Sequence, residues 1–155
     1  MEPSQTFFRF HVTMWFGMII LMAASLVYSI QFLSKESALS DLKARELALT
    51  GFFMASLGLI TGAIRARLYL GVPFGLNDPK LDGAAVTMLI YLAYFVLRGS
   101  VDDPQKRGRI AAVFNIFAFV MMIVFIGILP RMPGIGSLHP GNAGNPAFSS
   151  YEPSE

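Results

Sequence analysis

The sequence predicts an all-α integral membrane protein, a bundle of four transmembrane helices, and three observations carry that prediction. The chain is 54% hydrophobic and only 14% charged, where a soluble domain carries closer to a quarter charged residues. Its apolar residues fall in four long runs, at 13–33, 47–64, 81–97 and 110–129. Each is long enough, or nearly so, to cross a hydrocarbon core, which takes about 20 helical residues. Helices are the form expected, because an open strand in lipid leaves its backbone groups without partners.

The elements follow in order. The first run is too long for the core of a signal peptide and has no clear cleavage site behind it, so it reads as a span. The second carries Gly58 and Gly62 one helical turn apart, a small-residue face suited to close helix contact. The third and fourth are announced by Asp78-Pro79 and Asp103-Pro104. Each pair sets a capping carboxylate before a proline that suits the first helical position. Pro130 is expected to stop the fourth helix, and Asn115 within it to make an interhelical hydrogen bond. Residues 1–155 thus read as a single membrane domain, with loops 65–80 and 131–155 on one side.

Lysine and arginine set the orientation. Loops 34–46 and 98–109 hold seven, namely Lys35, Lys43, Arg45, Arg98, Lys106, Arg107 and Arg109. The other side holds five: Arg9, Arg65, Arg67, Lys80 and Arg131. The more basic side belongs inside, which sends both termini outside. There is no cysteine, so disulfides, thiolate metal sites and covalent heme attachment through CxxCH are excluded. Twelve basic against ten acidic residues is an excess that topology explains, with no nucleic-acid partner needed.

The chemistry concentrates at the outer side. The chain has two histidines: His11 immediately before the first apolar run, and His139 shortly after the last. Both are expected in aqueous segments just outside the helices. Neutral imidazole is a common axial ligand of heme iron, and two at one surface could hold a heme from both faces, although most histidines in such loops are ordinary polar residues. The start of the third helix, Asp78-Pro79-Lys80, combines free backbone N–H groups, a positive helix end and a lysine, which suits an anion such as a heme propionate. Asp78 also reads simply as a helix cap. Phe74 and Trp15 offer aromatic surface for a porphyrin, or serve as interfacial anchors. No Ser-His-Asp set, facing carboxylate pair or phosphate-binding glycine loop competes, so the chain does not read as an enzyme.

The stretches FHVTMWFGM, NDPKLDGAAV, LIYLAYFVLRGS, NIFAF, ILPR and SLHPGNAGNP, in that order, resemble the CcmC/CcsA family of membrane proteins of cytochrome c maturation, which includes heme exporter protein C. The resemblance runs from about Phe10 to Phe148. It implies that His11 and His139 match the family's axial heme ligands, metal ligands to the iron of a non-covalent heme b. Asp78 matches the aspartate that ends the family's tryptophan-rich loop, Lys80 a basic position after it, and Arg67 a basic position leading into it. The implied function is heme binding and transfer at the outer membrane face. The partners are heme, a periplasmic heme chaperone and other maturation membrane proteins, in a bacterial inner membrane with both termini periplasmic. The loop departs from the pattern: positions 71, 74, 75 and 77 read Gly, Phe, Gly and Asn, leaving Phe74 as the aromatic. Thr13 stands where the first motif has proline. Family members have six helices, so the chain reads as the core of that fold, shortened at both ends.

Two other readings stay open. One is a b-type heme electron-transfer subunit, against which stands the absence of histidine from every expected helix interior. The other is a structural or assembly fragment with no ligand.

Overall fold

The computed structural model describes residues 3–69, 78–132 and 135, with side chains over 5–65, 67–68, 78–132 and 135. Every element in them is helical: α1 (Pro3–Lys35), α2 (Ala38–Tyr69), α3 (Pro79–Gly99) and α4 (Pro104–Met122). The last continues as a π-helical segment, Ile123–Ile128, and a 3-10 turn, Leu129–Arg131. All four helical stretches are long and apolar enough to cross a membrane. Phe16, Ile20, Phe53, Leu89, Val113 and Phe117 point outward, as side chains facing lipid should.

α1 and α2 overrun the apolar runs. At 1.5 Å per residue, the 33 residues of α1 make a rod of about 50 Å, well beyond a hydrocarbon core of about 30 Å. Hydropathy marks where lipid ends, whereas a helix continues until something breaks it. No glycine or proline lies between Pro3 and Gly17. Residues 34–46, expected as a loop, reduce to a two-residue turn at Glu36 and Ser37. Glu36 closes α1 in the left-handed region (φ 51°), its N–H donating to Phe32 O at 2.8 Å.

α3 and α4 start where their cap signals stand. Asp78 accepts from Lys80 N and Leu81 N at 2.9 and 3.3 Å. Asp103 accepts from Lys106 N at 2.7 Å. At the far end of α4, Pro130 contributes no N–H, and Leu129 N–H reaches five residues back to Val124 O. The wider turn presses the backbone of Phe125 against Gly83 of α3, where an added Cβ would overlap the Phe125 carbonyl. Pro130 therefore ends the helix as expected, after a π segment that the sequence did not announce.

The helices run antiparallel in sequence order. α1 packs mainly on α2, α1 on α4 and α3 on α4, while α2 and α3 meet sparsely. Along the α1–α2 seam, α2 presents Ala44, Ala48, Gly51, Ala55, Gly58 and Gly62 at alternating spacings of four and three. Opposite lie Ser29, Ser25, Met22, Met18, Trp15 and His11. Gly51 receives Met22, Gly58 receives Trp15 and Gly62 receives His11, so a Cβ at any of the three would crowd its partner. The 3.5-residue period is that of a coiled-coil seam.

Asn115 of α4 makes the expected interhelical bond and joins three helices. Its amide donates to Ser25 Oγ and Ser29 Oγ of α1 at 2.7 and 2.8 Å, and Ser25 Oγ donates onward to Ala44 O of α2 at 2.7 Å. At the opposite end from His11, Arg98 of α3 grips both oxygens of Asp41 of α2 at 2.7 and 2.5 Å.

Two glycines of α3 give opposed predictions. Gly83→Ala should cost about 1–3 kcal/mol by forcing α3 off the π segment. Gly99→Ala meets nothing within 4 Å and should be neutral or stabilising by up to about 1 kcal/mol. Thermal unfolding in detergent, followed by circular dichroism, measures both.

Candidate functional site

One end of the bundle gathers the start of α1, the end of α2, the start of α3 and the end of α4. Of the residues singled out in the sequence, His11, Trp15, Arg67, Asp78 and Lys80 lie there among the described residues. Phe74 and His139 fall outside them.

His11 does not precede the first helix. It lies within α1, partly buried, because the helix already starts at Pro3. The argument that no helix interior holds a histidine therefore fails. Its Nδ1 is 2.8 Å from Gly58 O of α2. A carbonyl oxygen can only accept, so Nδ1 carries the proton, and the lone pair of the neutral ring sits on Nε2. A backbone carbonyl orienting an imidazole in this way is the arrangement found behind metal-ligating histidines. Gly62 makes it possible: a Cβ there would stand 2.6 Å from His11 Cε1.

Trp15, one turn further along α1, meets His11 edge to face at a centroid distance of 6.1 Å. Its indole rests on Gly58, and it lines a small apolar cavity with Met18, Ala84, Met88 and Tyr91. Its described contacts are thus with the bundle core as well as with the histidine. Because Ala84 and Met88 belong to α3, the same cavity sets the start of that helix beside the start of α1.

Asp78 is mostly buried, at 9% exposure, and its carboxylate spends at least two bonds on the first N–H groups of α3. The capping role read from the sequence is therefore present. Lys80, in the first turn, is partly buried. Arg67 is exposed in the last turn of α2, which runs on through residues expected as loop. Arg65 belongs to the same end, its guanidinium 4.8 Å above the Phe8 ring, with Nε buried and lacking a hydrogen-bond partner. Sequence reading left this arginine–aromatic pair unassigned, although the second helix continuing past Ile64 would have aligned them. Among the described residues no group of three or more His, Cys, Asp or Glu could hold a metal ion.

The sequence model of the family described as Cytochrome C assembly protein matches residues 4–129. The chain belongs to that family. The match takes in the whole described site and ends before His139. A Cytochrome c biogenesis protein CcsA of Prochlorococcus marinus is 35% identical over 103 residues, 66% of this chain and 31% of the relative. A Heme exporter protein C of Bradyrhizobium diazoefficiens is 29% identical over 102 residues, 66% of this chain and 38% of the relative. That of Paracoccus denitrificans is 29% identical over 99 residues, 64% of this chain and 41% of the relative. The matched stretch thus covers less than half of each relative. No solved structure matches the chain. Family membership accords with the resemblance read from FHVTMW, NDPK and the later motifs.

The His11 geometry is directly testable. Histidine nitrogen NMR of the purified protein should report neutral His11 as the Nδ1-protonated tautomer. Gly62→Ala should remove that signature by displacing the ring, at the loss of a hydrogen bond worth about 1 kcal/mol. Separately, Asp78→Ala should destabilise the protein by about 0.5–2 kcal/mol, with Asp78→Asn keeping most of the cap.

Proposed function

We propose that this chain binds heme at the end of the bundle that holds His11 and hands it on during cytochrome c assembly. The observation that supports this best is the orientation of His11. The Gly58 carbonyl accepts a hydrogen bond from Nδ1, which fixes the ring at this end of the bundle and makes Nε2 the nitrogen that bears the lone pair. Heme is the cargo in this reading, a heme b held without covalent attachment, and it supplies an iron atom with two axial positions and two carboxylates.

His11 and His139 would hold the iron through their imidazoles. Arg67 and Lys80 meet the propionates, and Asp78 holds the first turn of α3 so that its lysine and N–H dipoles stay aimed at the anions. Trp15 braces the His11 ring, with Phe74 adding an apolar face. No step makes or breaks a covalent bond, so the role is that of a carrier. The heme passes to a periplasmic heme chaperone, with both termini of the chain on that side of a bacterial inner membrane. The relatives named Heme exporter protein C and Cytochrome c biogenesis protein CcsA support this reading.

His11 lying inside α1 lends some weight to the second reading, a b-type heme subunit for electron transfer. Such a subunit needs a second ligand facing the first across the bundle, and His11 is the one histidine among the described residues. Reversible reduction by a quinol would favour it.

The deciding experiment is the absorption spectrum of protein purified with heme. His11→Ala and His139→Ala should each lower heme retention at least tenfold and shift the Soret band. His11→Gly supplemented with imidazole should restore it. Unchanged retention in both alanine variants would overturn the ligand assignment, and a wild type that retains no heme would leave a protein that assembles without binding.

A further inference from the structure

We propose that the groove at the opposite end of the bundle is a binding site for the headgroup of an anionic phospholipid. It opens where α2 and α3 diverge, with a volume of about 740 Å³, within the range of about 300–1,000 Å³ typical of small-molecule sites. Its lining is layered. Arg45, Arg98 and Arg107, from α2, α3 and α4, all line it. Leu49 stands one helical turn deeper than Arg45, and Phe95 one turn deeper than Arg98. A cationic layer over an apolar one is the order in which a phospholipid presents its phosphate and its chains.

The charge balance points to an anion. Two carboxylates also line the groove, Glu36 and Asp41, and both are engaged. Asp41 holds Arg98 in a two-bond pair whose side chains are 17% and 10% exposed. Glu36 accepts from Gln105 Nε2 at 2.5 Å and pairs with Arg109. Arg45 pairs with its neighbour Glu46 at the exposed surface, an arrangement of little strength. Arg107 has no ion pair among the described residues. Two arginines from different helices thus remain available to one phosphate, with the Arg98–Asp41 pair as a neutral floor. Basic pockets between transmembrane helices are recognised sites for acidic lipid headgroups, each nearby cation adding to the attraction.

A lipid accounts for the opening as well. α2 and α3 touch sparsely, and Leu42, beside Arg45, is half exposed. In a bilayer such a gap fills with acyl chain. The site lies at the far end from His11 and does not depend on the heme reading.

The test is native mass spectrometry of the full chain released from mixed micelles of phosphatidylglycerol and phosphatidylcholine with matched chains. The wild type should retain phosphatidylglycerol at least fivefold over phosphatidylcholine. Arg45→Gln combined with Arg107→Gln should bring the ratio near one, with an unchanged melting midpoint in phosphatidylcholine alone. Leu49→Trp, which fills the groove, should lower retention of both lipids. Equal retention of the two lipids by the wild type would overturn the proposal, as would a preference that survives the double substitution. So would crosslinks from Leu49→Cys to a second copy, or hemin displacing the lipid one for one.

Discussion

Close approach of α1 to α2 is the constraint on which the rest depends. Lipid chains are as apolar as the side chains they surround, so burial supplies little drive for helices to associate inside a bilayer. Dispersion and directed hydrogen bonds must do so, and both fall steeply with distance. A seam of alanine and glycine on α2 lets the backbones come near enough. Met22 then fits over Gly51, Trp15 over Gly58 and His11 over Gly62. The same proximity brings Ala44 O within reach of Ser25, and Asn115 completes the chain from α4. A larger residue at the seam would weaken packing and polar contacts together.

The imidazole is part of that seam. Its hydrogen bond to Gly58 O repeats, one end of the helix pair later, the device by which Ser25 bonds Ala44 O. In both, a polar side chain of α1 reaches the main chain of α2 across a position without bulk. What distinguishes His11 is that its ring has a second nitrogen, so the bond to Gly58 O engages only part of its polar capacity. The rigidity of the helix pair passes directly to the ring.

Much of this was legible in the chain because it depends on local chemistry. Asp-Pro pairs specify a cap and a first turn, and both α3 and α4 begin there. An asparagine deep in an apolar run must find a partner, and Asn115 finds two. Glycines four apart mark a contact face. The extents of α1 and α2 were hidden, since an apolar run records the thickness of lipid and both helices continue past it. That error put His11 in a loop and Arg65 and Arg67 after a helix. The partner of the glycine face was hidden for another reason: the large residues of α1 repeat at the same period as the small ones of α2, a signal visible only when two segments are compared. The π segment depends on a tertiary contact, Phe125 against Gly83, and nothing local in IVFIGILP specifies it.

The two ends of the bundle solve opposite electrostatic problems. At the end away from His11, arginines meet carboxylates from other segments: Arg98 with Asp41 of α2, and Arg109 with Glu36 of the α1–α2 turn. Each pair spans a helix junction and fixes it. At the His11 end Arg65 leans on an aromatic ring. The carboxylate of Asp78 is turned to backbone N–H groups. At one end these two ion pairs tie segments together, and at the other an aromatic ring and the N–H dipoles of α3 face charged groups. Under the proposed heme reading, an anionic cargo would meet Arg67 and Lys80 at that end without disturbing the pairs that fix the other. Binding and release would then leave the junctions that hold the bundle together untouched.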